Sequence, residues 1–103
     1  MDAETFNKRF IEAMSVMAAN AQAKFVAFGG KPEDYLLDYE MGQRYIRLVK
    51  THGGQQSAYG FVDRTNGDIL KAAGWKAPAK NFARGNIFKD LELLKKFGWT
   101  SIQ

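Results

Sequence analysis

With 103 residues, 46% of them hydrophobic, and 15 Lys plus Arg against 11 Asp plus Glu, the chain has the make-up of one ordinary globular domain and is too small for two. It has no Cys and one His, which excludes disulfide frameworks, thiolate zinc sites, iron–sulfur clusters, cysteine nucleophiles and His-rich metal cages, and with them most redox and metallohydrolase chemistry. No apolar run approaches the ~20 residues of a membrane span, and Met1, Asp2, Ala3 and Glu4 form an acidic start rather than a basic leader, so the expectation is a cytoplasmic protein.

From Ala3 to about Phe28 the apolar residues Phe6, Phe10, Met14, Met17, Ala21, Phe25 and Phe28 recur at steps of three and four, which predicts one long amphipathic helix. Asp2 or Thr5 can cap its start, and Gly29, Gly30 and Pro32 close it. Such a helix is about 38 Å long, longer than a small sheet covers, which leaves room for a second copy of the chain on its apolar face. Pro32 to Met41 is compatible with a short helix or an irregular crossover. Arg44–Thr51 and Ser57–Arg64 are rich in β-formers and flank His52-Gly53-Gly54, which predicts a hairpin.

Asn66-Gly67 is the strongest turn signal in the chain and predicts a third strand over Asp68–Ala73. Gly74, Pro78 and Gly85 interrupt regular structure, so Trp75–Asn86 reads as an ordered loop with a short strand about Ile87, followed by a short helix from Leu91 to Phe97 between Asp90 and Gly98. The expected fold is a single α+β domain over residues 1–103, a long N-terminal helix packed on a small antiparallel sheet of three or four strands, with a short C-terminal helix.

Charge is divided along the chain. Residues 1–40 hold four basic and seven acidic residues, whereas residues 41–90 hold nine basic and three acidic ones, a local +6. This suggests an acidic or neutral helical layer beside a basic sheet layer. Within the basic half, cations and aromatics interleave: Arg44, Tyr45, Arg47, Lys50, Tyr59, Phe61, Arg64, Lys71, Trp75, Lys76, Lys80, Phe82, Arg84, Phe88 and Lys89. Binders of single-stranded nucleic acid need this mixture, cations for phosphates and exposed rings for bases. The plainer alternative has Tyr59, Phe61 and Phe88 packed against the helix, Trp75 anchoring its loop in the core, and the Lys and Arg residues as a solvated face. Strand alternation puts Tyr45, Arg47 and Val49 on one face and Arg44, Ile46, Leu48 and Lys50 on the other, so neither is cleanly basic and aromatic.

The segment NGDILKAAGWKAPAKNFARGNIF, Asn66–Phe88, with its Gly-Asp-Ile, Trp-Lys-Ala-Pro-Ala and Ala-Arg-Gly-Asn elements, resembles part of a group of small tailed-bacteriophage proteins without assigned activity. The resemblance covers at most residues 44–88. It implies a viral origin and expression in the cytoplasm of an infected bacterium, and it carries over no catalytic or binding residue.

No nucleophile with a base and no GxxxxGK[ST] or GxGxxG loop occurs. His52 reads as an exposed turn residue, Asp63 and Asp68 as acceptors of turn amides, and Asp34, Asp38 and Glu40 as a solvated acidic face without the loop spacing of a calcium site. The expectation is therefore a non-enzymatic protein without cofactor or metal. Its candidate nucleic-acid-binding residues are Arg47, Arg64, Lys71, Trp75, Lys76, Lys80 and Arg84. The rival expectation is a protein that docks on a host or virion protein through the long helix or the Trp75 loop.

Overall fold

A computed structural model describes residues 2–103. Helix α1 spans Ala3–Ala27 and is followed by a 3-10 turn, Pro32–Asp34. Strands β1 (Tyr35–Met41), β2 (Tyr45–His52), β3 (Gln55–Asp63), β4 (Asp68–Leu70) and β5 (Gly85–Asn86) come next, and a second 3-10 turn covers Leu91–Lys96. The strands form one antiparallel meander in chain order. The α+β class and the long helix are as expected, while the sheet has five strands and the C-terminal helix is a 3-10 turn.

The start of α1 is fixed by the Asp2 carboxylate, which accepts the Thr5 amide at 2.7 Å. Its end is fixed by Gly29, whose φ of 114° lies in the left-handed region. Phe6, Phe10, Ala13, Met14, Met17, Ala21 and Phe25 are buried, so the apolar stripe is covered from its first turn to its last. Ile46, Leu48, Val62 and Ile69 meet it from the sheet, and Ile87, Leu94, Phe97 and Ile102 extend the cover beyond the sheet. Phe28, the last residue of the expected stripe, caps the helix and remains 77% exposed.

Residues 35–41, left open between helix and crossover by the sequence, form a strand. Tyr35 and Leu37 are buried, Tyr39 is half-buried, and Leu36, Asp38 and Glu40 between them are exposed. This alternation decides the outcome, and the Pro-acidic start supplies only the 3-10 turn before it. As an edge strand β1 has one unpaired side, on which the Asp38 carboxylate accepts the Tyr39 amide at 2.8 Å.

The β2–β3 hairpin turns on Gly53 and Gly54, with φ of 60° and 78°, the paired positive values that a two-residue turn requires. Leu48 pairs with Gly60 but Val49 with Ala58, so Tyr59 is an extra residue in β3. Without this bulge Tyr59 would project from the sheet on the side away from α1. Instead it is fully buried, and its hydroxyl donates to the Gly98 carbonyl at 2.6 Å.

Strand β4 stops at Leu70 rather than Ala73 because the chain leaves the ladder to fold on itself. Ala72 bridges Pro78, the Ala73 amide donates to the Ala77 carbonyl at 3.0 Å, and the Ala79 amide to the Lys71 carbonyl at 2.7 Å. The resulting arm, residues 71–80, lies over the sheet face opposite α1, where Val49, Phe61 and Leu70 are buried at 4%, 2% and 8% exposure. Phe61 is therefore buried as expected, but under the arm rather than against the helix. The expected strand near Ile87 is β5, one residue earlier.

The segment after β5 is mostly without ladder partners, and side chains supply them. Arg9 donates to the carbonyls of Ile87 and Lys89, Asn20 to Phe97, Lys24 to Lys95 and Phe97, Tyr35 to Trp99 and Lys50 to Thr100. Among the described residues no helix is long and apolar enough to cross a membrane.

Burial holds the Tyr35 and Tyr59 phenols well above their ordinary value, and Tyr59 itself adds to the effect at Tyr35. The neutral forms are favoured in the fold, so this stability is complete below about pH 10, where unfolded tyrosine titrates, and is lost as pH rises above it. Thermal unfolding between pH 8 and 12 should show that decline. Tyr59→Phe should make it shallower and lower stability at pH 7 by about 1 kcal/mol.

Asp63 is 5% exposed. Burial alone would raise its carboxyl, but the Thr65 hydroxyl and amide, at 2.7 and 2.9 Å, and the Arg44 guanidinium at 3.3 Å hold it below the usual carboxylate value. Its contribution is therefore present above about pH 4 and lost as pH falls below that. Asp63→Asn should cost about 1–3 kcal/mol at pH 7 and remove part of the acid-side decline, as read from urea unfolding at pH 3 to 7.

Candidate nucleic-acid interface

Period-two alternation along β2 sends Ile46 and Leu48 to the helix and Tyr45, Arg47 and Val49 to the opposite face. The arm lies on that same face. Its turn, Gly74-Trp75-Lys76, sets the Trp75 ring against the Arg47 guanidinium, which lies 4.4 Å from the ring centroid. Arg47 Nε donates to the Trp75 carbonyl at 2.8 Å, and Arg47 Nη1 pairs with Glu40 Oε1 at 3.1 Å. Arg47 is thus a prop for Trp75. Trp75 is 41% exposed, so it is no core anchor; Pro78, buried within the arm, is closer to that role.

Tyr45, half-buried, has the Arg44 guanidinium 5.4 Å and the Lys80 ammonium 5.7 Å from its ring centroid. Below it lies Phe61, edge-on at 6.4 Å. Lys71, Lys76 and Lys80 are exposed, and among the described residues their ammonium groups meet no protein acceptor. Two grooves flank the tryptophan. One, of about 320 Å³, runs beside Arg44, Tyr45, Arg47 and Lys76. The other, of about 440 Å³, lies among Ala58, Lys71, Trp75, Ser101 and Ile102.

Of the seven residues expected to bind, Lys71, Trp75, Lys76 and Lys80 come together on the arm with Arg47 beneath them. Arg64 does not join them. It lies in the β3–β4 turn, donates to the Gly42 carbonyl, and borders a groove shared with Asp2 and Asn7 at the start of α1. Arg84 lies toward β5, where its Nη1 donates to Asn81 Oδ1 at 3.2 Å and to the Phe82 carbonyl at 2.9 Å, and its guanidinium sits 3.8 Å from the Phe82 ring centroid. Tyr45 is the residue the sequence undervalued. Alternation put it beside Arg47, but nothing local showed that Arg44, Lys80 and Phe61 would gather around its ring.

The expected division into an acidic helical layer and a basic sheet layer is also corrected. Because residues 35–41 are a strand, Asp38 and Glu40 enter the sheet, at its β1 edge. His52 is exposed, as expected, but has partners distant in sequence, with its ring 5.0 Å from Phe25 and 5.6 Å from Trp99. Asp63 accepts turn donors from Thr65, whereas Asp68 Oδ1 accepts from the Asn86 side chain at 2.9 Å. Among the described residues no group of three or more His, Cys, Asp or Glu is placed to hold a metal ion.

No curated protein and no solved structure matches the chain. One family model matches nearly all of it, residues 2–101, and the chain accordingly belongs to a family of unknown function, DUF7717.

Proposed function

We propose that the protein binds single-stranded nucleic acid, without catalysis and without strong sequence preference, on the sheet face covered by the arm. The observation that carries this reading is the company kept by Trp75 and Tyr45: one exposed ring and one half-buried ring among three lysines, Lys71, Lys76 and Lys80, that no acceptor engages among the described residues. Lysines that engage no carboxylate or carbonyl acceptor keep their counterions until a polyanion displaces them, and the release of those ions drives association. A ring held open to solvent, as Trp75 is, offers a π-face to unpaired bases, which duplex DNA keeps stacked. Arg44 adds a fourth cation at Tyr45, although its Asp63 partner offsets that charge. On this reading, and in keeping with the resemblance of residues 44–88 to phage proteins, the protein acts in the cytoplasm of an infected bacterium.

Fluorescence anisotropy with labelled single-stranded DNA, single-stranded RNA and duplex oligonucleotides, from low to near-physiological salt, tests the proposal. The expected result is single-strand binding that weakens steeply with salt. Replacing Lys71, Lys76 and Lys80 together by Ala should reduce the slope of log affinity against log salt by about 2, at roughly 0.7 per phosphate on a single strand. Trp75→Ala should leave the slope unchanged and weaken binding by about 1–3 kcal/mol. An absence of binding at low salt, or a triple-lysine variant with wild-type affinity and slope, overturns the proposal.

A further inference from the structure

Arg84 and Phe82 repeat the construction found at Arg47 and Trp75. In each pair a guanidinium lies against one face of an aromatic ring, at 4.4 Å for Trp75 and 3.8 Å for Phe82. In each pair the same arginine donates to the backbone carbonyl of the aromatic residue it backs, at 2.8 and 2.9 Å. Each ring is also open to solvent, Trp75 by 41% and Phe82 by 61%. A phenylalanine that exposed contributes little to a core, and its guanidinium partner fixes the ring's orientation.

The surroundings of Phe82 are cationic. A groove of about 570 Å³ runs from Phe82 past Arg84 and Lys96 to Gln103. It shares Ala83, Arg84 and Lys96 with a second groove of about 300 Å³ that reaches Lys89. The groove beside Trp75 ends at Ser101 and Ile102, and the groove beside Phe82 ends at the next residue, Gln103. Trp75 and Phe82 therefore each border a groove that reaches residues 101–103, a segment held in place by the Ile102 amide donating to the Tyr59 carbonyl at 2.9 Å.

We propose that Phe82 is a second base-stacking platform, with Arg84 as its positioning residue and Lys89 and Lys96 as phosphate contacts, so that one single strand crosses from Trp75 over residues 101–103 to Phe82. This rests on the nucleic-acid reading given above and adds to it a second subsite of the same ligand class. The geometry has an energetic counterpart: two platforms, one on the arm and one just beyond it, select an unpaired, flexible strand, because a duplex cannot offer unstacked bases to both. Footprints of small single-strand-binding folds run from roughly 4 to 16 nucleotides, so a 12-mer is long enough to reach both rings.

The test compares a fluorescein-labelled 12-nucleotide oligo-dT with an abasic deoxyribose-phosphate chain of equal length, which keeps the charges and removes the bases. Phe82→Ala should weaken oligo-dT binding roughly 5- to 150-fold and leave the abasic chain unaffected. Arg84→Lys, which keeps the charge but loses the planar backing, should shift oligo-dT binding in the same direction without changing the salt slope. Lys96→Ala should instead weaken both ligands and lower the slope. Circular dichroism should show all three variants folded, since Phe82, Arg84 and Lys96 lie at the surface. If Phe82→Ala binds oligo-dT as the wild type does while Trp75→Ala does not, the second platform is wrong and the nucleic-acid reading stands. If the wild-type protein binds neither chain, both fall together.

Discussion

The structure depends on how the backbone from residue 87 to residue 100 finds hydrogen-bond partners. Seven of its carbonyls, those of Ile87, Lys89, Lys95, Phe97, Gly98, Trp99 and Thr100, accept from the side chains of Arg9, Asn20, Lys24, Tyr35, Lys50 and Tyr59. Leaving such carbonyls unpaired against a core would cost far more than these bonds return individually. The arrangement ties α1, β1, β2 and β3 to one non-repetitive segment, and that segment completes the cover of the long helix through Leu94, Phe97 and Ile102. It also puts Ser101, Ile102 and Gln103 beside the arm, so the groove walls on the outer face depend on bonds made on the inner one.

The cations fall into two populations. All five arginines, Arg9, Arg44, Arg47, Arg64 and Arg84, donate to acceptors within the protein, whereas Lys71, Lys76 and Lys80 meet none among the described residues. A planar guanidinium with five fixed donors suits the bridging of carbonyls and the backing of rings, while an ammonium on a flexible stem stays hydrated until a mobile anion arrives. Lys24, Lys50 and Lys95 also engage protein acceptors, so what sets the arm lysines apart is their position as well as their residue type. Arg47 and Arg64, both expected to contact phosphate, each also donate to a backbone carbonyl, of Trp75 and Gly42 respectively. Arg84 keeps a place beside a groove, though through its ring.

Elements whose cause is local were legible in the sequence. The three-and-four spacing from Phe6 to Phe25, the cap at Asp2, the Gly53-Gly54 hairpin and the turn at Asn66-Gly67 each follow from residues within a few positions of one another. The alternation that separates Tyr45 and Arg47 from Ile46 and Leu48 was legible for the same reason. What was lost depends on distant partners. The bulge at Tyr59 is signalled locally only by Gly60, and its use is set by the carbonyl of Gly98. Strand β1 was obscured by Pro32, Glu33 and Asp34, whose helix-start chemistry is used up in a single 3-10 turn. The guanidinium backing of Trp75 joins residues 28 positions apart, and no spacing rule could have paired them.

The open edge of β1 also bears on how copies of the chain meet. Asp38 is the middle residue of Tyr35–Met41, so two copies brought edge to edge in antiparallel register would set Asp38 against Asp38. Their amides point inward to Val49, which makes that meeting a narrow pair, the closer of the two antiparallel spacings at about 4.5 Å between Cα atoms. Two carboxylates at that separation repel, and each is already bound to its neighbouring Tyr39 amide. Asp38 at the midpoint of the edge, with Glu40 two residues further on and Leu36 and Met41 exposed on either side, thus disfavours that edge-to-edge register.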